Sequence, residues 1–171
     1  MNAVQRFKDL VCAMSSMHKD IQHREKECHF ATSLDDAQNK HARLMHYPCL
    51  LMDYGDFTYR NVGAGIGKHR TVTLFFVDHC KDAGNGKLID SIFDHMELVC
   101  DDFMTKIVEL SRSSVSKYRF LGRFSLEGVE ATRIILESPA LYGWAVILPT
   151  SDLLCSEERE SPWLSLDEVK E

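Results

Sequence analysis

The residues of this chain best suited to chemistry are six cysteines and eight histidines. The cysteines are Cys12, Cys28, Cys49, Cys80, Cys100 and Cys155, and no two form a C-x-x-C pair. In a chain of 171 residues with no secretion signal they read as reduced thiols, several of them packed as small hydrophobes. Among them Cys80, beside Asp78 and His79 at a strand end, is the best placed to act as a nucleophile, yet an unreactive cysteine is the favoured reading and no catalytic site is expected. Cys100 falls on the apolar side of a long helical segment, where thiols are usually inert. A metal site needs ligands at tight, recurring spacings. His18 and His23 are five apart, as are His41 and His46, which takes each pair off a common helical face. Cys28-His29 and His79-Cys80 are adjacent, so on strands they point to opposite sides. Scattered surface histidine fits these spacings better than a metal centre, and no cofactor is expected.

A glycine-rich segment, Arg60-Asn61-Val62-Gly63-Ala64-Gly65-Ile66-Gly67-Lys68-His69, carries the other chemical possibility. A Walker A loop requires G-x-x-x-x-G-K-[ST]. Val62 stands where the first glycine belongs and His69 replaces the hydroxyl residue, so that match fails. Arg60, Gly63 and Gly65 do satisfy R-x-x-G-x-G, and the segment from Arg60 to Lys68 thereby resembles the acetyl-CoA loop of GNAT acetyltransferases. That chemistry needs the loop to open a helix whose N-terminal amides receive the pyrophosphate. RTVTLFFV follows instead, which has strand composition. The plainer expectation is a loop joining two antiparallel strands.

Net charge is −6, which disfavours general affinity for nucleic acid or anionic membrane. Arg112, Lys117, Arg119, Arg123 and Arg133 form the one basic concentration, able to meet a phosphate backbone, to make a solvated strand face or to pair with the acidic tail of a neighbouring copy. No apolar run is long enough to cross a bilayer. The N-terminal segment is too polar for a signal peptide, so synthesis and assembly in a cytoplasm are expected.

The elements that must position these groups follow from periodicity. Val4, Phe7, Leu10, Val11, Met14 and Ile21 predict an amphipathic helix over 2 to about 24. His29–Thr32 reads as a short strand, and Ser33 is placed to cap a brief helix through LDDAQNKHARL. YPCLLMDY and FTYRNV read as two strands, GAGIGKH as a loop, and RTVTLFFVDHC as the clearest strand. Residues 87 to about 111 form the strongest helix, about 37 Å long. Its apolar face runs from Leu88 to Ile107, with Asp90, Asp94, Glu97, Asp101 and Asp102 mostly opposite. YRFLGRFSLE, VEATRIILE and LYGWAVILP have strand composition, and the last is apolar on both faces, as a central strand must be. The order predicts an α+β fold, with a mainly antiparallel sheet, an N-terminal helix and one long central helix packed on one face. A single domain is expected over 1–155. Residues 156–171 form an acidic C-terminal tail, docked on the domain or on a neighbouring subunit through Trp163 and Leu164.

This layout resembles small neck and tail proteins of tailed bacteriophages and prophages, of the tail-terminator or tail-completion type, including those of phages of gut Bacteroidetes. The likeness begins with an amphipathic helix leading to Tyr47-Pro48 and a strand RTVTLFFVD running into DSIFDHMELVCDDFMTKI. A closing strand around Gly143-Trp144 then ends at Pro149, shortly before Cys155. It covers residues 1 to about 155. The resemblance implies a non-enzymatic virion protein of the head–tail junction or tail. Such a protein forms a homo-oligomeric ring, often a hexamer, that caps the tail tube, binds neighbouring neck and tail proteins and lets DNA pass without sequence reading. The residues expected at its interfaces are Phe57, Tyr59, Lys68, Arg70, Trp163 and Leu164. A small protein-binding adaptor is the other non-enzymatic expectation.

Overall fold

The computed structural model describes residues 3–21, 29–30, 46–62, 65–121, 126–137 and 140–149. Two α-helices lie among them, α1 (Ala3–Met17) and α2 (Gly86–Ser111). The strands are β1 (His29–Phe30), β2 (Cys49–Val62), β3 (Gly65–His79), β4 (Glu130–Glu137) and β5 (Ala140–Pro149). They form one sheet in the order β1-β2-β3-β5-β4. The short β1–β2 contact is parallel, and the pairings of β2 with β3, β3 with β5, and β4 with β5 are antiparallel. The α+β architecture expected from the sequence is the one observed.

Strand alternation divides the core in two. Leu50 and Met52 of β2, Val72, Leu74 and Phe76 of β3, and Tyr142, Val146 and Leu148 of β5 share one face and join α1 and α2 in the main apolar cluster. Phe7, Val11 and Met14 bring α1 to it at helical spacing. From α2 come Ile92, Phe93, Met96, Val99, Cys100, Phe103, Met104 and Ile107. The opposite face carries a smaller cluster of Cys49, Leu51, Phe75, Val77, Ile134 and Ala145. β5 contributes to both clusters and has a partner on each edge, which accounts for its unbroken apolar composition.

Three local contacts fix α2. The Asn85 side chain accepts the Leu88 N–H at 3.2 Å and caps the first turn. The Trp144 indole N–H donates to the Phe93 carbonyl at 3.0 Å, joining β5 to α2. The Arg133 guanidinium lies 4.9 Å from the Phe93 ring centre and 5.5 Å from that of Trp144.

The structure corrects several local expectations. α1 stops at Met17, and the chain turns so that Ile21 returns to the core. The Ser15 and Ser16 hydroxyls bond back to the Val11 and Ala13 carbonyls near its end, the competition that makes serine a poor helix-interior residue. Leu88, placed on the apolar face by spacing, is exposed in the first turn of α2. YRFLGRFSLE does not begin as a strand, because Ser116–Leu121 form a 3-10 helix. Phe120 and Leu121 at its end are both buried. YPCLLMDY and FTYRNV are one strand, β2, interrupted by a register shift between Tyr54 and Phe57. Gly65–His69, expected as loop, belongs to β3. The strand expected at His29–Thr32 is described at 29–30, and the helix expected after Ser33 lies outside the described residues.

Candidate interaction surface

β5 pairs with β3 only from Thr71 to His79. Beyond Thr71 the strands β2 and β3 run on together for six further pairs, from Phe57 opposite Arg70 to Val62 opposite Gly65. At strand rise this is, among the described residues, a two-stranded ribbon about 20 Å long that extends past the β3–β5 pairing. A lone pair of strands is marginally stable in water. Backbone edges without a partner among the described residues are also templates for contact with another chain.

The ribbon begins at a β-bulge. Tyr54 pairs with Val72 and Phe57 with Arg70, so Gly55 and Asp56 together oppose the single residue Thr71. A bulge bends its strand and increases local twist. It also moves the numbering of β2 by one relative to β3. Had the register of Tyr54 continued, Asp56, Thr58 and Arg60 would stand opposite Arg70, Lys68 and Ile66. The observed register puts Phe57 opposite Arg70 and Tyr59 opposite Lys68. Directly opposed residues of an antiparallel pair share a face, as do residues two apart on one strand. By backbone register, Phe57, Tyr59, Lys68 and Arg70 therefore stand on one face of the ribbon, continuous with the sheet face that carries Val72 and Leu74. Four of the six interface residues expected from the sequence are thus brought together on one hairpin. Trp163 and Leu164 lie outside the described residues.

Charge supports the assignment of this surface. From Phe57 to Arg70 the chain contains Arg60, Lys68 and Arg70 and no carboxylate, in a protein of net charge −6. Aromatic residues and arginine are the types that most often dominate binding energy at protein interfaces. The carboxylates collect elsewhere: Asp90, Asp94, Glu97 and Asp101 follow one another at spacings of four, three and four along the exposed side of α2.

The other candidate chemistry does not assemble. The chain is strand from Gly65 to His79, so no helix N-terminus opens where the acetyl-CoA pattern requires one. Arg60 stands opposite Gly67 within the ribbon. Cys80 is buried and its thiol donates to the Asp82 carbonyl at 3.1 Å. The Asp78 carboxylate accepts the backbone N–H of His79 at 2.7 Å, and the His79 ring lies against Tyr47 with ring centres 5.7 Å apart. These three side chains find their contacts apart from one another. Burial, with Asp78 adding repulsion, pushes the Cys49 thiol far up. Burial, aided by Asp101 and Glu97, pushes Cys100 up to about 12. Both stay neutral at physiological pH and are poor nucleophiles. Cys12 departs from the expectation of reduced thiols: it is disulfide-bonded. Cys49, Cys80 and Cys100 are not, so its partner lies outside the described residues. Spacing along the chain does not reveal this, since a disulfide depends on how the fold brings two cysteines together.

The basic concentration is dispersed rather than gathered on a strand face. Arg112 caps α2, Lys117 and Arg119 lie on the 3-10 helix, and Arg133 is stacked on Phe93 and Trp144. Arg123 lies outside the described residues. No helix among the described residues is long and apolar enough to cross a membrane. Comparison with protein-family models, with curated proteins and with solved structures gave no match.

Proposed function

We propose that the protein is a non-enzymatic structural subunit that builds a closed homo-oligomeric ring through its projecting β2–β3 ribbon. The observation that carries this reading is the bulge-set register that collects Phe57, Tyr59, Lys68 and Arg70 on one ribbon face. A ring needs two different surfaces on each copy, one that reaches and one that receives. The ribbon is the reaching surface. The resemblance to tail-terminator and tail-completion proteins supplies the setting: the neck or tail of a bacteriophage virion, assembled in the host cytoplasm. There the ring would cap the tail tube and contact neighbouring neck and tail proteins. The carboxylate stripe of α2 suits a lumen wall, where it would repel phosphates and let DNA pass without being held.

The test is charge reversal on the ribbon, Lys68→Glu with Arg70→Glu, and separately Phe57→Ala with Tyr59→Ala, in the full chain. Sedimentation velocity should show a discrete oligomer for the parent and monomers for both variants, with unchanged far-UV circular dichroism. A parent that stays monomeric at every concentration, even with tail-tube protein present, would remove the ring and leave the small adaptor as the better account. An oligomer untouched by either variant would remove the ribbon as its joint.

A further inference from the structure

The C-terminal halves of α1 and α2 and the 3-10 helix enclose an apolar groove with a cavity of about 320 Å³. Its walls are Leu10, Met14 and Met17 of α1, Phe103 and Leu110 of α2, and Tyr118. Met17 is 77% exposed although it is apolar and lies in this wall. The rim is polar. Asp102 is engaged by His18 at 3.3 Å and Lys106 by Glu109 at 2.8 Å. Lys117 lies over the Tyr118 ring, 4.8 Å from its centre, with no carboxylate partner among the described residues. The groove is thus an apolar slot whose edge carries Lys117, a cation with no carboxylate beside it among the described residues.

The chain contains a segment of matching chemistry. Residues 156–171 hold six carboxylates against two cations, a net charge of −4, and place Trp163, Leu164 and Leu166 between the acidic runs. The slot is at the lower end of the volumes that bury a small organic ligand, roughly 300 Å³ upward, which suits one large aromatic side chain. Reach is sufficient. Trp163 is 14 residues beyond Pro149, the end of β5. An extended chain of that length spans up to about 45 Å. A domain of this size has a radius of gyration of roughly 15 Å. A segment tethered this closely acts at millimolar effective concentration, well above that of a second copy in dilute solution.

We infer that the acidic segment 156–171 of the same chain seats Trp163 and Leu164 in the groove between α1, α2 and the 3-10 helix, with Lys117 facing its carboxylates. This contact is independent of the ring, since it is made within one chain.

Peroxide oxidation of Met17, read by peptide mass spectrometry on the full chain, tests it, because oxidation of methionine follows exposure. Met17 should oxidise roughly tenfold more slowly in the parent than in the Trp163→Ala, Leu164→Ala variant, the protection given by ~0.1 mM affinity at millimolar effective concentration. Lys117→Glu should also speed its oxidation. Fully buried Met96 should stay slow in all three proteins, reporting that each is folded. Equal Met17 rates in parent and variants would overturn the inference. So would protection that grows with protein concentration, which would assign the groove to a second copy.

Discussion

Adding one methyl group at Gly143 should force the centre of the sheet apart. Gly143 lies in β5 opposite Val77 of β3 and Ile134 of β4, with φ 159°. A Cβ there would stand 1.9 Å from the Phe76 carbonyl oxygen, 2.9 Å from its carbon and 3.0 Å from the Val77 Cα. All three are backbone atoms, so no side chain can swing aside. Relief requires β3 and β5 to part by about 1 Å at a row where strands lie about 4.8 Å apart, enough to break the adjoining ladder bonds. Two lost bonds at about 1 kcal/mol each, with the repacking of buried neighbours, come to about 3 kcal/mol. For a chain of this size, Gly143→Ala then lowers the melting temperature by roughly 6–12 °C. Thermal unfolding followed by circular dichroism measures it. Gly86→Ala is the control, because nothing lies within 4 Å of its added Cβ and Gly86 opens α2. It should leave stability unchanged or raise it by about 0.5 kcal/mol. A Gly143→Ala midpoint indistinguishable from the parent would refute the close approach of β3 and β5.

Asn85→Ala should destabilise by about 1 kcal/mol in urea unfolding through loss of the α2 cap, whereas Asn85→Asp should be nearly neutral. Trp144→Phe removes the bond to the Phe93 carbonyl and part of a packed ring, a loss of about 1–2 kcal/mol by the same assay. Alkaline pH should weaken the fold. The Cys49 and Cys100 thiols are held up in the folded state and ionise at about 8.5 when unfolded, a value set by the free side chain. Their contribution to stability is whole below about pH 8.5 and is lost as pH rises toward the folded values, by up to about 1.4 kcal/mol per pH unit for each thiol. Tyr47, pushed up to about 12 by burial and by Cys49 and Asp78, adds to the loss at the alkaline end. Urea midpoints between about pH 8 and 11 should fall, and Cys100→Ala should flatten the slope. A flat parent profile would contradict the burial of these groups.

Much of the fold is legible because its periods are clean. The helical run from Ile92 to Ile107 has one answer, and Leu141–Leu148, apolar on both faces, has to be an interior strand. What the sequence hides is set by pairing across distance. Gly65 and Gly67 read as loop until Val62 and Arg60 are found opposite them. Tyr118 and Phe120 mimic strand alternation, yet both lie in the 3-10 helix Ser116–Leu121. The candidate surface divides the same way. Its residue types, two aromatics and two cations within a short span, are visible in the chain. Their convergence on one face is not, because it depends on Gly55 and Asp56 sharing the single partner Thr71. A one-residue change of register would exchange Phe57 and Tyr59 for Thr58 and Arg60.

Whether copies of this chain close into a ring through the ribbon is tested most directly by native mass spectrometry of the full-length protein over a range of concentrations. The expected result is one discrete oligomeric mass, the same at every concentration at which it forms, and its replacement by monomer in Lys68→Glu, Arg70→Glu. A monomer throughout, an open-ended ladder of masses, or an oligomer that survives the ribbon variant would contradict closure through the ribbon.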